Sequence, residues 1–396
     1  MMATDSASIA GRRVQIAGSA NKATNAEIIR YGHRLVAQVV RGVLLEGGGL
    51  VLGLVREPRT DDGAGGSPSL VFDWTALEAA ASMLNDGAAR WPRSAGLPII
   101  VVASEKAEAE IPEGRRELWS KLLTSGFVQL ESIMPGSRAA ALIRQRQATF
   151  GEVLLTLGGG TGVEHLADLY LRERRSVIPL DLPLGASRSD GTGGSERLAQ
   201  ESRAEPGRFV RMKREYRERA NAELAGLSTR NGAEPDADVS RRIVELLGML
   251  AAPTAFYVRL INRELEIFPR VEKFFRDVVD PVVADAGLQR IEIGTDETEH
   301  GFINVGIFDS LHFARVAIVD LTGCRLNCFV ELGYALGRAT RVIVTAEDGT
   351  QLPFDTDAIP CHFWKPGLGA EAQQKELKTF WKNNVDRPPL VRPRDG

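Results

Sequence analysis

The sequence contains few cysteines and histidines, and it has no hydrophobic run long enough to cross a membrane. Its three cysteines are Cys324, Cys328 and Cys361, and so small a number excludes a disulfide framework and favours a reducing, cytoplasmic location. No apolar run reaches the roughly 18 residues of a membrane span, and residues 1–8 lack the apolar core of a signal peptide. The five histidines show no metal-ligand spacing and the cysteines form no second pair, so we expect no bound metal.

The sequence also lacks an excess of charge of either sign. It has 49 lysines and arginines against 52 aspartates and glutamates, a net charge of −3, which gives no reason to expect nucleic acid or an anionic membrane as a partner. Hydrophobic residues make up 43% and charged residues 26% of the 396 residues, as is usual in a soluble globular protein. This length is about two to three times that of a typical domain and predicts two domains.

The first half of the chain alternates between apolar strands and amphipathic helices. Strands are predicted at residues 13–17, 50–55, 98–103, 153–157 and 176–180, and helices at residues 26–44, 74–84 and 166–172. Continuous apolar runs are typical of buried parallel strands. Their alternation with helices predicts a parallel sheet that is covered on both faces, and therefore an α/β fold.

The second half restarts this order after a segment with the composition of a linker. Residues 231–238 contain glycine, proline and three acidic residues. Beyond them, strands are predicted at residues 255–260, 291–293, 316–321 and 342–345, and helices at residues 265–286, 306–313 and 328–338. The sequence therefore predicts two doubly wound parallel-sheet domains, Rossmann-like or flavodoxin-like, at residues 11–232 and 240–390.

Two carboxylates mark the second domain as a candidate for chemistry. Asp320 ends an apolar strand, and the carboxyl ends of parallel strands face the ligand crevice. Glu331 follows eleven residues later near the predicted start of a helix, where the helix dipole stabilises the charged form. Cleavage of an N-glycosidic bond needs such groups, because the departing sugar becomes cationic at C1′. The alternative is structural, since acids are also common as helix caps and turn residues.

Residues 320–337, DLTGCRLNCFVELGYALG, resemble the nucleoside 2-deoxyribosyltransferase-like superfamily, which is related in fold and site logic to TIR-type NAD glycohydrolases. The resemblance covers about residues 254–364. It implies that Glu331 is the catalytic glutamate, that Asp309 and Asp320 line the sugar site, and that Asn327 lies in a loop above it. Where many relatives have Asn-Pro-Asn, this chain has Arg-Leu-Asn.

Two further residues are candidates for substrate contacts in this domain. Arg259 ends the first predicted strand, where deoxyribosyltransferases tend to carry a tyrosine, and it could engage a phosphate or be a solvated surface arginine. His300 lies in the acidic stretch 295–304, which could close over the substrate or be a solvated loop.

A glycine-rich motif in the first domain is a candidate phosphate site. Residues 157–164, LGGGTGVE, follow a strand and open a helix, so backbone N–H groups could approach a phosphate with help from the helix dipole. The alternative is a tight turn in a domain that binds nothing. The sequence Gly18-Ser19-Ala20 after the first strand is a second candidate loop.

The first domain resembles the SLOG superfamily over about residues 11–201, through these glycine motifs and the later residues 191–195, GTGGS. Compared with the catalytic LOG pattern, Thr161 and Gly162 stand in reversed order, and His165 occupies the position of the second glutamate. The resemblance therefore implies the sensor branch, which binds nucleotide signals such as cyclic ADP-ribose derivatives. The implied signal-binding residues are Gly18, Ser19, Gly158, Gly159, Gly160, Thr161, Gly162, Glu164, Gly193, Gly194 and Arg144.

Together the two resemblances imply an effector of prokaryotic antiphage defence. The first domain would sense a small nucleotide, and the second would cleave the nicotinamide–ribose bond of NAD, which is a substrate and not a cofactor. We expect such a protein to work as a homo-oligomer or filament. The alternatives are a nucleoside or nucleotide 2-deoxyribosyltransferase or hydrolase, a LOG-like phosphoribohydrolase in the first domain, and a non-catalytic nucleotide-binding scaffold.

Overall fold

The computed structural model describes residues 9–54, 57, 68–91, 97–185, 194–212, 216–227, 235–251, 253–292, 303–338, 340–353 and 359–385. The chain divides into two compact units, Met1–Ala251 and Ala252–Gly396. Within the described ranges, no helix combines the length and the apolar character that a membrane span requires.

The first unit is built on a six-stranded parallel sheet with the order β4-β3-β2-β1-β5-β6. Its strands are β1 Arg13–Ser19, β2 Gly49–Gly53, β3 Ile99–Ser104, β4 Val128–Ile133, β5 Val153–Gly158 and β6 Ser176–Leu180. Its helices are α1 Ala26–Leu45, α2 Asp73–Asn85, α3 Glu105–Ala109, α4 Glu113–Thr124, α5 Ala139–Phe150, α6 Thr161–Arg172, α7 Gly194–Ala204, α8 Pro206–Phe209, α9 Arg217–Gly226 and α10 Asp236–Met249.

The second unit has a five-stranded parallel sheet with the order β11-β10-β9-β7-β8. Its strands are β7 Thr254–Val258, β8 Gln289–Ile291, β9 Val316–Asp320, β10 Arg341–Glu347 and β11 Cys361–Trp364. Its helices are α11 Phe268–Phe274, α12 Asp280–Asp285, α13 Ile303–Phe313, α14 Leu326–Gly337 and α15 Ala370–Asn384, with a π-helical turn at Phe275–Val279 between α11 and α12.

Local sequence explains why the central elements form. All residues of β5 and β6 are buried, as their predominantly apolar sequences predict for strands covered on both faces. Asn25 caps the N-terminus of helix α1, because its side chain accepts a hydrogen bond from the Glu27 N–H at 2.8 Å. Helix α10 packs along α1 so closely that a Cβ at Gly42 would lie 2.7 Å from Val244 Cγ2.

The predicted fold class is confirmed, because both sheets are parallel and alternate with helices. Several details differ from the prediction. Strand β4 was not predicted because its sequence, VQLESI, is half-exposed and carries a charge. The helix expected at residues 265–286 is interrupted by a π-helical turn. Helix α10, which spans the predicted start of the second domain at residue 240, lies within the first compact unit, where it packs against α1.

Each sheet has one point at which its strand order reverses, and open α/β sheets bind ligands at the carboxyl ends of the strands there. In the first unit this switch point lies between β1 and β5. In the second unit it lies between β7 and β9, since the order β8-β7-β9-β10-β11 is the flavodoxin-like arrangement. The two glycine loops after β1 and β5, and Asp320 at the end of β9, therefore lie at switch points.

Candidate functional site

The two glycine loops of the first unit meet at its switch point. The N–H of Gly159 donates to the Ser19 carbonyl oxygen at 2.7 Å, and a Cβ at Gly18 would lie 1.7 Å from the Leu157 carbonyl oxygen. Any side chain at position 18 would therefore force β1 and β5 apart. Gly158 and Gly159 have φ angles of 60° and 72°, in the left-handed region that glycine adopts without strain.

The loop after β5 leads directly into α6, as predicted. Gly160 precedes the helix and has no side chain with which to cap it, so the first N–H groups of α6 point towards the crevice without a side-chain partner. Thr161 is exposed and Gly162 is partly buried at this helix start. A helix N-terminus of this kind attracts a phosphate through its N–H groups and its dipole.

Arg144 supplies a positive charge beside this helix start. Its Nε donates to His165 Nδ1 at 3.0 Å, and its Nη1 lies 3.4 Å from the position that a Cβ of Gly162 would occupy. Within the described ranges, no carboxylate pairs with this guanidinium. The structure therefore brings Arg144, His165 and the Gly158–Gly162 loop together, and leaves a cation available for an anionic ligand.

Glu164 and the start of α7 have a structural role. Glu164 Oε1 accepts from the Gly194 N–H at 2.8 Å, so that N–H is already bound within the protein. A Cβ at Gly194, which has a φ of 66°, would lie 2.1 Å from the Gly159 carbonyl oxygen. Ser195 Oγ bonds to the carbonyl oxygens of Thr156 and Leu180 at 2.8 and 2.7 Å and so ties the ends of β5 and β6 together. Gly193 lies outside the described residues.

In the second unit, Asp320 lies inside the protein. Its side chain, 1% exposed, accepts hydrogen bonds from Thr345 Oγ1 at 2.8 Å, Trp364 Nε1 at 3.0 Å and the Thr322 N–H at 3.1 Å. Burial raises the pKa of this carboxyl group, and these donors oppose the shift. Both oxygens are thus held by the protein, which fits a residue that joins the ends of β9, β10 and β11 and does not fit direct contact with a sugar.

Arg259 is also engaged within the protein. It pairs with Glu292 and Glu272, each at 2.6 Å, and its guanidinium lies over the Phe275 ring at 5.0 Å. The Arg259 side chain is 5% exposed and the Glu292 side chain 6%. This geometry fits neither of the two roles predicted for Arg259. The side chain is too buried for a solvated surface arginine, and two carboxylates already neutralise the charge that a phosphate would need.

Glu331 differs from both, because no hydrogen-bond or ion-pair partner is recorded for it within the described ranges. It is the sixth residue of α14, which begins at Leu326, and therefore lies beyond the first turn, where the dipole acts. The prediction that the helix dipole stabilises the charged form of Glu331 is therefore wrong. Burial has the opposite effect and raises the pKa of Glu331 to about 7. A partly buried carboxylate of this pKa changes charge near neutral pH, as groups in active sites often do.

Three aromatic and imidazole side chains on α13 and α14 were not predicted as site residues from the sequence. Tyr334, one helical turn after Glu331, contacts Phe308 of α13 with ring centroids 4.9 Å apart. The Tyr334 hydroxyl lies 2.8 Å from His312 Nδ1. Residues one turn apart share a helix face, so the face of α14 that carries Glu331 and Tyr334 is turned towards α13.

The other predicted residues of this site are placed as follows. Asn327 is exposed, and it is the second residue of α14 instead of part of a loop. Asp309 lies within α13, but its side chain is outside the described residues, as is all of His300. Among the residues that the structure describes, no group of three or more histidines, cysteines and acids could hold a metal ion.

Comparison with a family model places a similarity to known proteins in the first unit. The model of a family described as "ATP nucleosidase Cap17-like, N-terminal" matches residues 9–246. ATP nucleosidase Cap17 of Escherichia coli strain KTE188 is 29% identical over 180 residues, which cover 46% of this chain and 34% of the relative. A second ATP nucleosidase Cap17 from Escherichia coli matches with the same values. The matched region thus covers about a third of the length of these curated relatives.

Proposed function

This chain belongs to the ATP nucleosidase Cap17-like N-terminal family, and from that premise we propose that it is a nucleotide-regulated N-glycosidase whose reaction centre is Glu331. The first unit binds a phosphorylated nucleotide signal at its switch point, of which a cyclic ADP-ribose derivative is one candidate. The second unit cleaves the bond between a base and C1′ of a ribose, in NAD or in ATP. The protein acts in this proposal as an effector of antiphage defence.

The observation that carries the proposal is the state of Glu331. Of the three carboxylates and one arginine expected to line the substrate site, Asp320 and Arg259 are bound within the protein. Glu331 has a raised pKa of about 7 and lies on the face of α14 towards α13. A poorly solvated carboxylate is well suited to a cationic partner, because the interaction is screened less than in water.

The chemistry follows from the charge that develops on the sugar. As the C1′–N bond breaks, its electron pair leaves with the base and C1′ becomes cationic. Ionised Glu331 stabilises this cation, and a water oxygen then bonds to C1′ and gives up one proton. The departing base, or the nearby solvent, takes that proton. Asp320 acts as a positioning residue, because it fixes the strand end from which the loop to α14 departs.

The proposed signal site rests on different contacts. Arg144 carries a charge that no described carboxylate neutralises, and it lies beside the uncapped start of α6. This arrangement favours a phosphate group of the signal nucleotide. Regulation requires that the signal bind one of two protein states more tightly than the other.

Product chromatography after incubation of the full chain with NAD and with ATP tests the proposal. Release of nicotinamide from NAD or adenine from ATP, stimulated by a cyclic ADP-ribose-type nucleotide, is expected. The Glu331→Gln variant should release neither base. Full activity of this variant, or no base release with any nucleotide, would contradict the proposed reaction.

A second candidate places the nucleosidase in the first unit, and the family match to residues 9–246 favours it. Glu164, the acidic residue in the first turn of α6 after the glycine loop, is then the candidate carboxylate. Its bond to the Gly194 N–H gives it a structural role, which is why we prefer Glu331. The same assay separates the two, since an active site in the first unit would leave Glu331→Gln fully active and make Glu164→Gln inactive.

A further inference from the structure

A carboxylate and an amide converge at the end of β2, one strand away from the switch point of the first unit. Asp73, the first residue of α2, accepts a hydrogen bond from the Gly53 N–H through Oδ1 at 3.0 Å. A Cβ at Gly53 would lie 2.9 Å from that oxygen and 3.4 Å from Gln147 Nε2. The two side chains therefore meet above the last residue of β2.

Gln147 has no structural role that accounts for its burial. The residue is 8% exposed, and within the described ranges no hydrogen bond to its side-chain amide is recorded. Neither polar atom of this amide is both fully enclosed and unpartnered, so the amide reaches solvent at this point. It is therefore available to a polar group that binds from outside.

The position is continuous with the proposed phosphate site. Gln147 lies three residues after Arg144 on α5, which packs against β1, β2 and β3, so the two lie about 4.5 Å apart along the helix axis. Val71 pairs with Ser19 across the end of β1, and Asp73 follows two residues later. The start of α6, Arg144, Gln147 and Asp73 therefore form a row of polar groups along the carboxyl ends of the strands.

We propose that Asp73 and Gln147 bind the ribose hydroxyls of the signal nucleotide and restrict the first unit to ribonucleotides. This inference rests on the proposed function, since it requires the phosphate of that nucleotide to lie at Arg144. A hydroxyl both donates and accepts, so the carboxylate of Asp73 accepts from the sugar while the amide of Gln147 donates to it.

The alternative role of Asp73 is to join α2 to β2 through the Gly53 N–H. The Asp73→Asn variant separates the two roles, because an asparagine oxygen still accepts that hydrogen bond while the charge is lost. The matched control is Asp168→Asn on α6, an acid that is 44% exposed and paired with Arg172.

Binding of ATP, 2′-deoxy-ATP and 3′-deoxy-ATP to full-length protein is measured by calorimetry in a Glu331→Gln background. Hydrogen exchange of residues 156–166 establishes whether each probe occupies the first unit. We expect ATP to bind about tenfold more tightly than the deoxy forms, because each deoxy form lacks one hydroxyl and so loses about one hydrogen bond to a charged group. Asp73→Asn should reduce this ratio below about twofold without lowering the melting temperature, because burial raises the pKa of Asp73 to about 6 and the charge is itself unfavourable there. Asp168→Asn should preserve the ratio.

An unchanged ratio in Asp73→Asn overturns the inference. If Arg144→Ala still weakens all three probes in that case, the proposed signal site stands and only the role of Asp73 is wrong. If no probe protects residues 156–166, both the signal site and the role of Asp73 are overturned.

Discussion

The cost of burying Glu331 can be measured without knowledge of the substrate. Burial raises its pKa from 4.5 to about 7, a shift of about 2.5 units, and each unit corresponds to about 1.4 kcal/mol. The ionised side chain therefore lowers the free energy of unfolding by at most about 3 to 4 kcal/mol. Because the side chain is only partly buried, solvent screening reduces this value further.

The sign of the effect determines the pH at which it is visible. Below pH 4.5 the carboxyl group is protonated in both states and contributes no difference. Between pH 4.5 and 7 the unfolded chain releases its proton first, so stability falls as the pH rises and the full cost is present above pH 7. Glu331→Gln removes the charge and should therefore be more stable than the parent protein at pH 8, by up to about 3 to 4 kcal/mol, but equally stable at pH 4.5.

Urea unfolding of both proteins at pH 4.5 and pH 8 measures this difference. Glu264→Gln, a substitution at an exposed glutamate of the same unit, is the matched control and should show no pH-dependent gain. Equal stability changes at both pH values, or a loss of stability in Glu331→Gln at pH 8, would refute the argument that Glu331 is an unpartnered buried carboxylate.

Two further predictions concern the residues that the structure removes from the substrate site. Asp320→Ala leaves three donors without an acceptor, those of Thr345, Trp364 and the Thr322 backbone. We therefore expect the free energy of unfolding in urea to fall by at least about 3 kcal/mol. An unchanged unfolding curve would contradict the contacts described. Arg259→Ala leaves the buried Glu292 carboxylate with Arg290 alone, 3.9 Å away, so the second unit should lose up to about 3–5 kcal/mol of stability. A stable Arg259→Ala protein with weakened substrate binding would instead support the phosphate-binding role.

The sequence predicted the fold where the determinants are local. The sequences of β5 and β6, VLLTLG and SVIPL, are predominantly apolar because helices cover both faces, and this pattern can be read without a structure. Strand β4 lacks that pattern because its residues are partly exposed. The glycine loop at residues 158–160 was also predictable, since it follows a buried strand and precedes a helix.

The partners of the site residues could not be predicted because they lie far away in the chain. Arg259 meets Glu272 and Glu292, at separations of 13 and 33 residues, and Asp320 meets Trp364, 44 residues away. None of these three spacings matches the periodicity of a helix or a strand. The environment of Glu331 depends on where α14 begins. The helix starts at Leu326, two residues before the predicted start, and this removes Glu331 from the first turn.

The pH dependence of base release by the signal-activated protein tests the central claim most directly. If ionised Glu331 stabilises the sugar cation, kcat/KM for NAD or ATP should rise with pH and level off above a midpoint near 7, the pKa that burial gives this group. Glu331→Gln should abolish the activity at every pH. A rate that does not change between pH 5.5 and 8.5, about three decades of proton concentration, would contradict a role for ionised Glu331. An undiminished rate in Glu331→Gln would contradict it as well.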